Sequence, residues 1–493
     1  MRILFIQPIS GFLMRGTTYP VCRSIMVTAS YFKTLGFEVQ VFDRCVDFRK
    51  SNNVIEEFKP DFVMIYVTPT ASIKDAIRIS ELSKKCGAYV AWGEVVASAI
   101  AEDIVKKGYS DFVITGETEN KLLLLIEELN GSKSFSNIPG ITYLYNGNVF
   151  TTNNKNNTDL MNIPSIDWDL IDVKRCFRSF PHCNRMLYMY TSRGCPFKCA
   201  YCYNTMFYNS EHRKRPIKYV LEEICYLEKT YNLDGANFSD ELLLLTDEEI
   251  SEIGEFRKNN DLKFYWGGET RADVYDLSTL RKMYDAGCRW LLLGIETGSK
   301  KIREQINKNM NQDKIKSFVD NCTLAGISTF GSFIIGFPDE TPEQLKETAQ
   351  YALALGLDAF LFNYYIAIPK TPLGDKLIAD GKFTTEEVLN QASASSKIQC
   401  LTENYSDIPD KELLVVKSYF DWLTFTRNKK ESIQKTMFIN KAFDILKHSA
   451  DGGIMNMFKN LFDAAKTFVT VLFYSHAYPS IRKKYGLYNI NTK

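Results

Sequence analysis

Cys195, Cys199 and Cys202 place three of the chain's 12 cysteines within eight positions, in "TSRGCPFKCAYCYN" (191–204), directly behind an apolar run. Thiolate is a soft ligand that selects zinc, cuprous copper or iron-sulfur clusters, so the metal must be argued from ligand count and spacing. Structural zinc takes four protein ligands, commonly from pairs of the C-x-x-C kind. This loop supplies three thiols, and the nearest further candidates, Cys176, His182 and Cys183, lie upstream of the apolar run. Three thiolates on a cluster of four irons leave one iron open to a substrate or cofactor. A disulfide is not expected. The opening "MRILFIQP" is cut short by Gln7 and Pro8 with no small-residue cleavage site after it, which reads as a cytoplasmic protein with reduced thiols. The other nine cysteines are scattered singly, as buried structural cysteines usually are.

The elements that would position the loop follow a clear alternation. Over residues 1–130, apolar runs ("RILFIQP", "FEVQVFD", "DFVMIYVTP", "AYVAWGE", "DFVITGE") alternate with helical periods around 21–35, 73–86 and 97–107 and with "NKLLLLIEEL". That order predicts a doubly wound parallel sheet, which binds ligands beyond the carboxyl ends of its strands. Pro8, Thr68, Thr70, Gly93, Glu94, Gly116 and Glu117 collect at those ends. Residues 131–185, rich in Asn, Gly, Ser and Pro, read as a linker carrying a hairpin, "ITYLYNGNVFTT". From 186 to 375 six further strand-helix rounds predict a partial (β/α)6 barrel with its chemistry at the strands' C-terminal ends, where the cysteine loop falls. Several of these strands also end in charge, at Asp240 and Glu241, Glu269 and Arg271, and Glu296. Residues 376–493 read as a helical C-terminal region packed over the barrel.

Composition narrows the partners. With 493 residues, 45% hydrophobic and 24% charged, the chain is ordinary globular protein, and Lys+Arg 60 against Asp+Glu 59 gives no basic field for nucleic acid. No apolar run approaches the roughly 18 residues needed to span a bilayer.

On these motifs the chain resembles the radical S-adenosylmethionine (SAM) enzymes. "CPFKCAYC" is similar to their CxxxCxxC signature, with an aromatic residue, Tyr201, before the last Cys. "NFSDELLLL" (237–245), "WGGETRADV" (266–274), "LGIETGSKKIREQINK" (293–308), "GSFIIGFPDETPEQLKET" (331–348) and "IPKTPLGDKL" (368–377) resemble successive strand segments of that family. The resemblance implies a 4Fe-4S cluster on Cys195, Cys199 and Cys202, with SAM on the open iron and cleaved by one electron to a 5'-deoxyadenosyl radical. It further implies the Tyr201 backbone against adenine, Asp240 or Glu241 on the ammonium group, Glu296 on a ribose hydroxyl and Arg271 on the carboxylate.

The first 130 residues resemble the cobalamin-binding domain that precedes the barrel in one large subfamily, through "YPVCRSIMVTASYFKTLGFEVQVFD" (19–43) and "DFVITGETENKLLLLIEEL" (111–129). Cobalamin would then meet Thr68, Gly93, Glu94, Gly116 and Glu117. The four His, at 182, 212, 448 and 476, all lie outside this domain, so none of its residues supplies a lower axial imidazole. The implied activity is methyl transfer to an unactivated carbon of a small-molecule or peptide substrate, in an anaerobic cytoplasmic enzyme fed electrons by a flavodoxin or ferredoxin. Two alternatives stand beside it: radical cyclisation or rearrangement with a first domain that has lost cobalamin, and a zinc-stapled binding module.

Overall fold

The computed structural model describes residues 1–9, 23–68, 72–154, 157–390, 403–426 and 469–487. Thr70 of the strand-end set lies outside them.

The first sheet holds seven strands: β1 (Arg2–Gln7), β2 (Glu38–Asp43), β3 (Phe62–Tyr66), β4 (Tyr89–Gly93), β5 (Phe112–Ile114), β6 (Ile141–Tyr145) and β7 (Asn148–Thr151). Their order is β2-β1-β3-β4-β5-β6-β7, parallel as far as β5. β1 shows why the sheet is doubly wound. Its successive residues alternate between two cores, Ile3 and Phe5 on one face and Leu4 and Ile6 on the other, all fully buried. An uninterrupted apolar strand needs helices on both sides.

The linker hairpin is part of this sheet: β6 pairs antiparallel with β5, and β7 with β6. Two helices depart from the sequence expectation. A helix at Ser51–Phe58 was not foreseen, because "SNNVIEEF" is short and begins with poor helix formers. The helix expected over 97–107 is two, Glu94–Ala99 and Ala101–Lys106, separated at Ile100 where the backbone leaves the helical region.

After the antiparallel edge strand β8 (Arg178–Phe180) comes the half-barrel: β9 (Cys183–Met189), then a small ribbon of β10 (Ser192–Arg193) and β11 (Arg213–Lys214), then β12 (Gly235–Phe238), β13 (Tyr265–Thr270), β14 (Cys288–Glu296), β15 (Ser328–Ile335) and β16 (Ala359–Tyr364). Sheet order is β16-β15-β14-β13-β12-β9-β8, with the six expected strands parallel. The intervening helices start on local signals, including capping boxes at Thr246 with Glu249 and at Thr341 with Gln344.

One lumen row runs Tyr188, Asn237, Gly267, Trp290, Ser328 across paired strands. It forms a floor. The Trp290 indole lies against Gly267, where a Cβ would fall 2.2 Å from the Trp290 carbonyl oxygen, and its N–H donates to Asn237 Oδ1 at 2.8 Å. Phe180, Cys183, Met186 and Phe330 pack with it. In the C-terminal region the helix Asp410–Thr426 covers the outer face of the last strand, Phe420 stacking on Phe362 at 4.0 Å between ring centroids. No helix among the described residues is long and apolar enough to cross a membrane.

Candidate functional site

Above the floor, Cys195, Cys199 and Cys202 line one cavity of about 320 Å³, together with Tyr201, Glu241, Glu269, Arg271, Glu296 and Lys308. The loop turns into this cavity at Gly194, whose φ of +79° and a would-be Cβ only 1.9 Å from the Glu211 carbonyl oxygen require glycine. Asn204 then ties the loop to itself: its Oδ1 accepts from Cys195 N–H at 2.8 Å, and its Nδ2 donates to Cys195 O at 2.6 Å. The middle of the loop is fixed to two distant segments, Ala200 N–H donating to Ile306 O and Leu373 N–H to Ala200 O.

Burial raises all three thiols above the ordinary range, Cys202 to about 12. A positively charged metal centre is what would draw off such protons. No three His, Cys, Asp or Glu among the described residues converge closely enough to hold a single ion.

The other expected SAM residues fall out unequally. Glu241 reaches the cavity, accepting from Gly194 N–H at 2.9 Å and from the Tyr203 hydroxyl at 3.3 Å. Asp240 is turned away from it. It is buried against Thr191, accepting from that residue's N–H at 2.8 Å and hydroxyl at 2.5 Å. Tyr201 lines the cavity and packs edge-to-face on Phe337, with Glu296 beside its hydroxyl. Arg271 is held by Asp273 through two bonds of 2.9 and 2.8 Å and lies over the Phe197 ring at 3.8 Å. Glu296 adopts φ +67° at a bulge in β14 and pairs with Lys308 at 2.6 Å, both side chains buried. Sequence reasoning missed Asn204 and Lys308. The Asn two places beyond the last Cys and the Lys twelve beyond Glu296 were their only signals.

In the first domain, the switch point of the sheet lies between β1 and β3. There Gln7 Oε1 and Thr68 Oγ1 are buried with no partner among the described residues. Orphaned polar atoms at such a crevice fit a polar cofactor. Gly93 ends β4 where a Cβ would press on Met64 at 2.4 Å, and Glu94 follows with φ +79°. Gly116 also has positive φ, and its N–H donates to Ser98 at 3.2 Å. Glu117 is engaged elsewhere, bonded to Arg193, Arg213 and the Thr158 N–H. A continuous hydrophobic cluster joins the two domains, with Val67, Val96 and Ala97 on one side and Ala200, Ile306 and Phe337 on the other.

Residues 189–352 match the model of the radical SAM superfamily. The chain carries a radical SAM domain. The cysteine loop's resemblance to radical SAM enzymes therefore stands, and with it the cluster and SAM as the cofactors of that domain. The chain is 27% identical over 397 residues to an uncharacterized methyltransferase of Pyrococcus horikoshii, covering 78% of this chain and 85% of that one. It is 25% identical over 398 residues to the anaerobic magnesium-protoporphyrin IX monomethyl ester cyclase of Rubrivivax gelatinosus, covering 76% and 71%. Among solved structures, the cobalamin-dependent SAM radical enzyme OxsB with aqua-cobalamin and SAM bound superposes with a TM-score of 0.65 at 15% identity, over 99% of this chain and 79% of that one. At that identity the likeness establishes the fold: a doubly wound sheet ahead of a half-barrel.

Proposed function

We propose that the protein is a cobalamin-dependent radical SAM methyltransferase that acts on an unactivated carbon of a small-molecule or peptide substrate, in anoxic cytoplasm and with a flavodoxin or ferredoxin as electron donor. One observation carries this reading: the three-thiol cavity and the switch-point crevice, where Gln7 and Thr68 oxygens have no partner among the described residues, belong to one packed body. The methyltransferase name of the Pyrococcus relative supports it. The cofactors, when bound, supply the reactive methyl group and the radical.

The protein's residues bind and orient. Cys195, Cys199 and Cys202 hold the cluster. Glu241, fixed by the Gly194 N–H, receives the ammonium group of SAM, and Asp240 holds Thr191 in place. Glu296, held in place by its pair with Lys308, is the carboxylate for a ribose hydroxyl. Thr68, Gly93, Glu94 and Gly116 line the cobalamin side, with Glu117 beside them paired to Arg193 and Arg213.

The test is turnover with methyl-labelled SAM, alongside cobalt analysis of protein purified without oxygen from cobalamin-supplied cells. Bound cobalt and label in the product are expected. Product without label and protein without cobalt would favour radical cyclisation, the reading that the Rubrivivax relative supports.

A further inference from the structure

The ionic group that occupies Glu117 joins four segments of the chain. Arg193 Nη1 lies 3.0 Å from Glu117 Oε1, and Nη2 lies 2.8 Å from Glu119 Oε1, with all three side chains buried. Arg213 adds a bond of 2.9 Å to Glu117. Thr158 donates its N–H to Glu117 at 2.7 Å and its hydroxyl to Glu119 at 3.2 Å. The carboxylates follow β5 in the first domain; the arginines sit on β10 and β11 beside the cysteine loop.

Burying such charges costs several kcal/mol per ion before pairing, so a merely adhesive contact would be served as well by apolar side chains. What the pairing supplies is fixed position. Arg193 is separated from Cys195 by Gly194 alone, whose turn is locked by its own N–H on Glu241 and its close approach to Glu211. Displacement of the Arg193 guanidinium is therefore passed along a stiff backbone to the first thiol.

We propose that Arg193 is a positioning residue: clamped by Glu117 and Glu119, it sets Cys195 from the first domain, so that the first sheet is part of the cluster site whether or not it carries cobalamin. This rests on the three cysteines holding a cluster, and not on methyl transfer.

The test uses the full chain without cobalamin, reconstituted with iron and sulfide under anoxia, as wild type, Glu117→Gln, Arg193→Lys and a surface control, Lys84→Gln. Iron content, the electron paramagnetic resonance spectrum of the reduced cluster with SAM, and SAM affinity are measured. Both clamp variants should lose about 10-fold or more in iron or SAM affinity and shift the resonance, as groups supporting metal ligands do, while the control matches wild type. Should Glu117→Gln fail to fold, Glu117→Asp, too short to reach both arginines, replaces it. Folded variants with wild-type iron, spectrum and affinity overturn the clamp, whatever their melting temperature. A wild type that takes up no cluster overturns the cluster reading and the clamp with it.

Discussion

Glu340→Gln should remove a pH dependence of stability that the fold builds in. Glu340 is fully buried in the turn after β15. Its Oε2 accepts from the N–H groups of Gly336 at 2.6 Å and Phe337 at 3.1 Å, while Oε1 has no partner among the described residues. Desolvation outweighs those two bonds and raises the carboxyl from 4.5 to about 7. Since the folded value lies above the unfolded one, folding favours the protonated form. The stability is complete below about pH 4.5 and is lost as pH rises through about 7. At 1.36 kcal/mol per unit, that interval corresponds to about 3 kcal/mol. Glutamine keeps an acceptor for both N–H groups and cannot ionise. The stability of the variant relative to wild type should therefore rise by about 2.5 kcal/mol between about pH 5 and about pH 8. Asp43, raised from 3.8 to about 6 by burial, titrates in both proteins and cancels in the difference. Urea unfolding of the apoprotein across that range, followed by tryptophan fluorescence, measures it. Parallel curves for the two proteins would refute the reasoning.

Three further outcomes are expected. Gly194→Ala forces a Cβ onto the Glu211 carbonyl at 1.9 Å in a left-handed turn, and should fold yet retain little iron or sulfide after reconstitution. Gly267→Ala drives its methyl into Trp290 at 2.2 Å and should cost about 1–3 kcal/mol, read as a lower melting temperature. Lys308→Met leaves the Glu296 carboxylate buried without its cation and should destabilise by about 3–5 kcal/mol, whereas Lys308→Met with Glu296→Gln should recover stability and still bind SAM weakly in equilibrium dialysis.

What the sequence revealed was what short-range pattern can carry. Apolar runs such as "RILFIQ" and "FVMIY" mark parallel strands wherever they fall, and the three cysteines fall within eight positions. The groups that shape the site come together from afar and leave no such trace. Arg193 meets Glu119 across 74 residues, and Trp290 meets Asn237 across 53. Strand ends bring charge toward the cavity without fixing its direction: Glu241 turns in and its neighbour Asp240 turns away, a difference set by the Thr191 bonds. Glu117 is expected beside cobalamin because it follows a strand run, and its partners Arg193, Arg213 and the Thr158 N–H all come from distant segments.

The row of side chains around Trp290 plugs the half-barrel at the N-terminal ends of its strands. Traffic is therefore one-ended, and the two ends of the barrel are unequal as points of attachment. A tether or affinity handle at the plugged end, on the exposed Asn184, is separated from the cysteine cavity by that row, so the protein can be immobilised there and still exchange its small molecules.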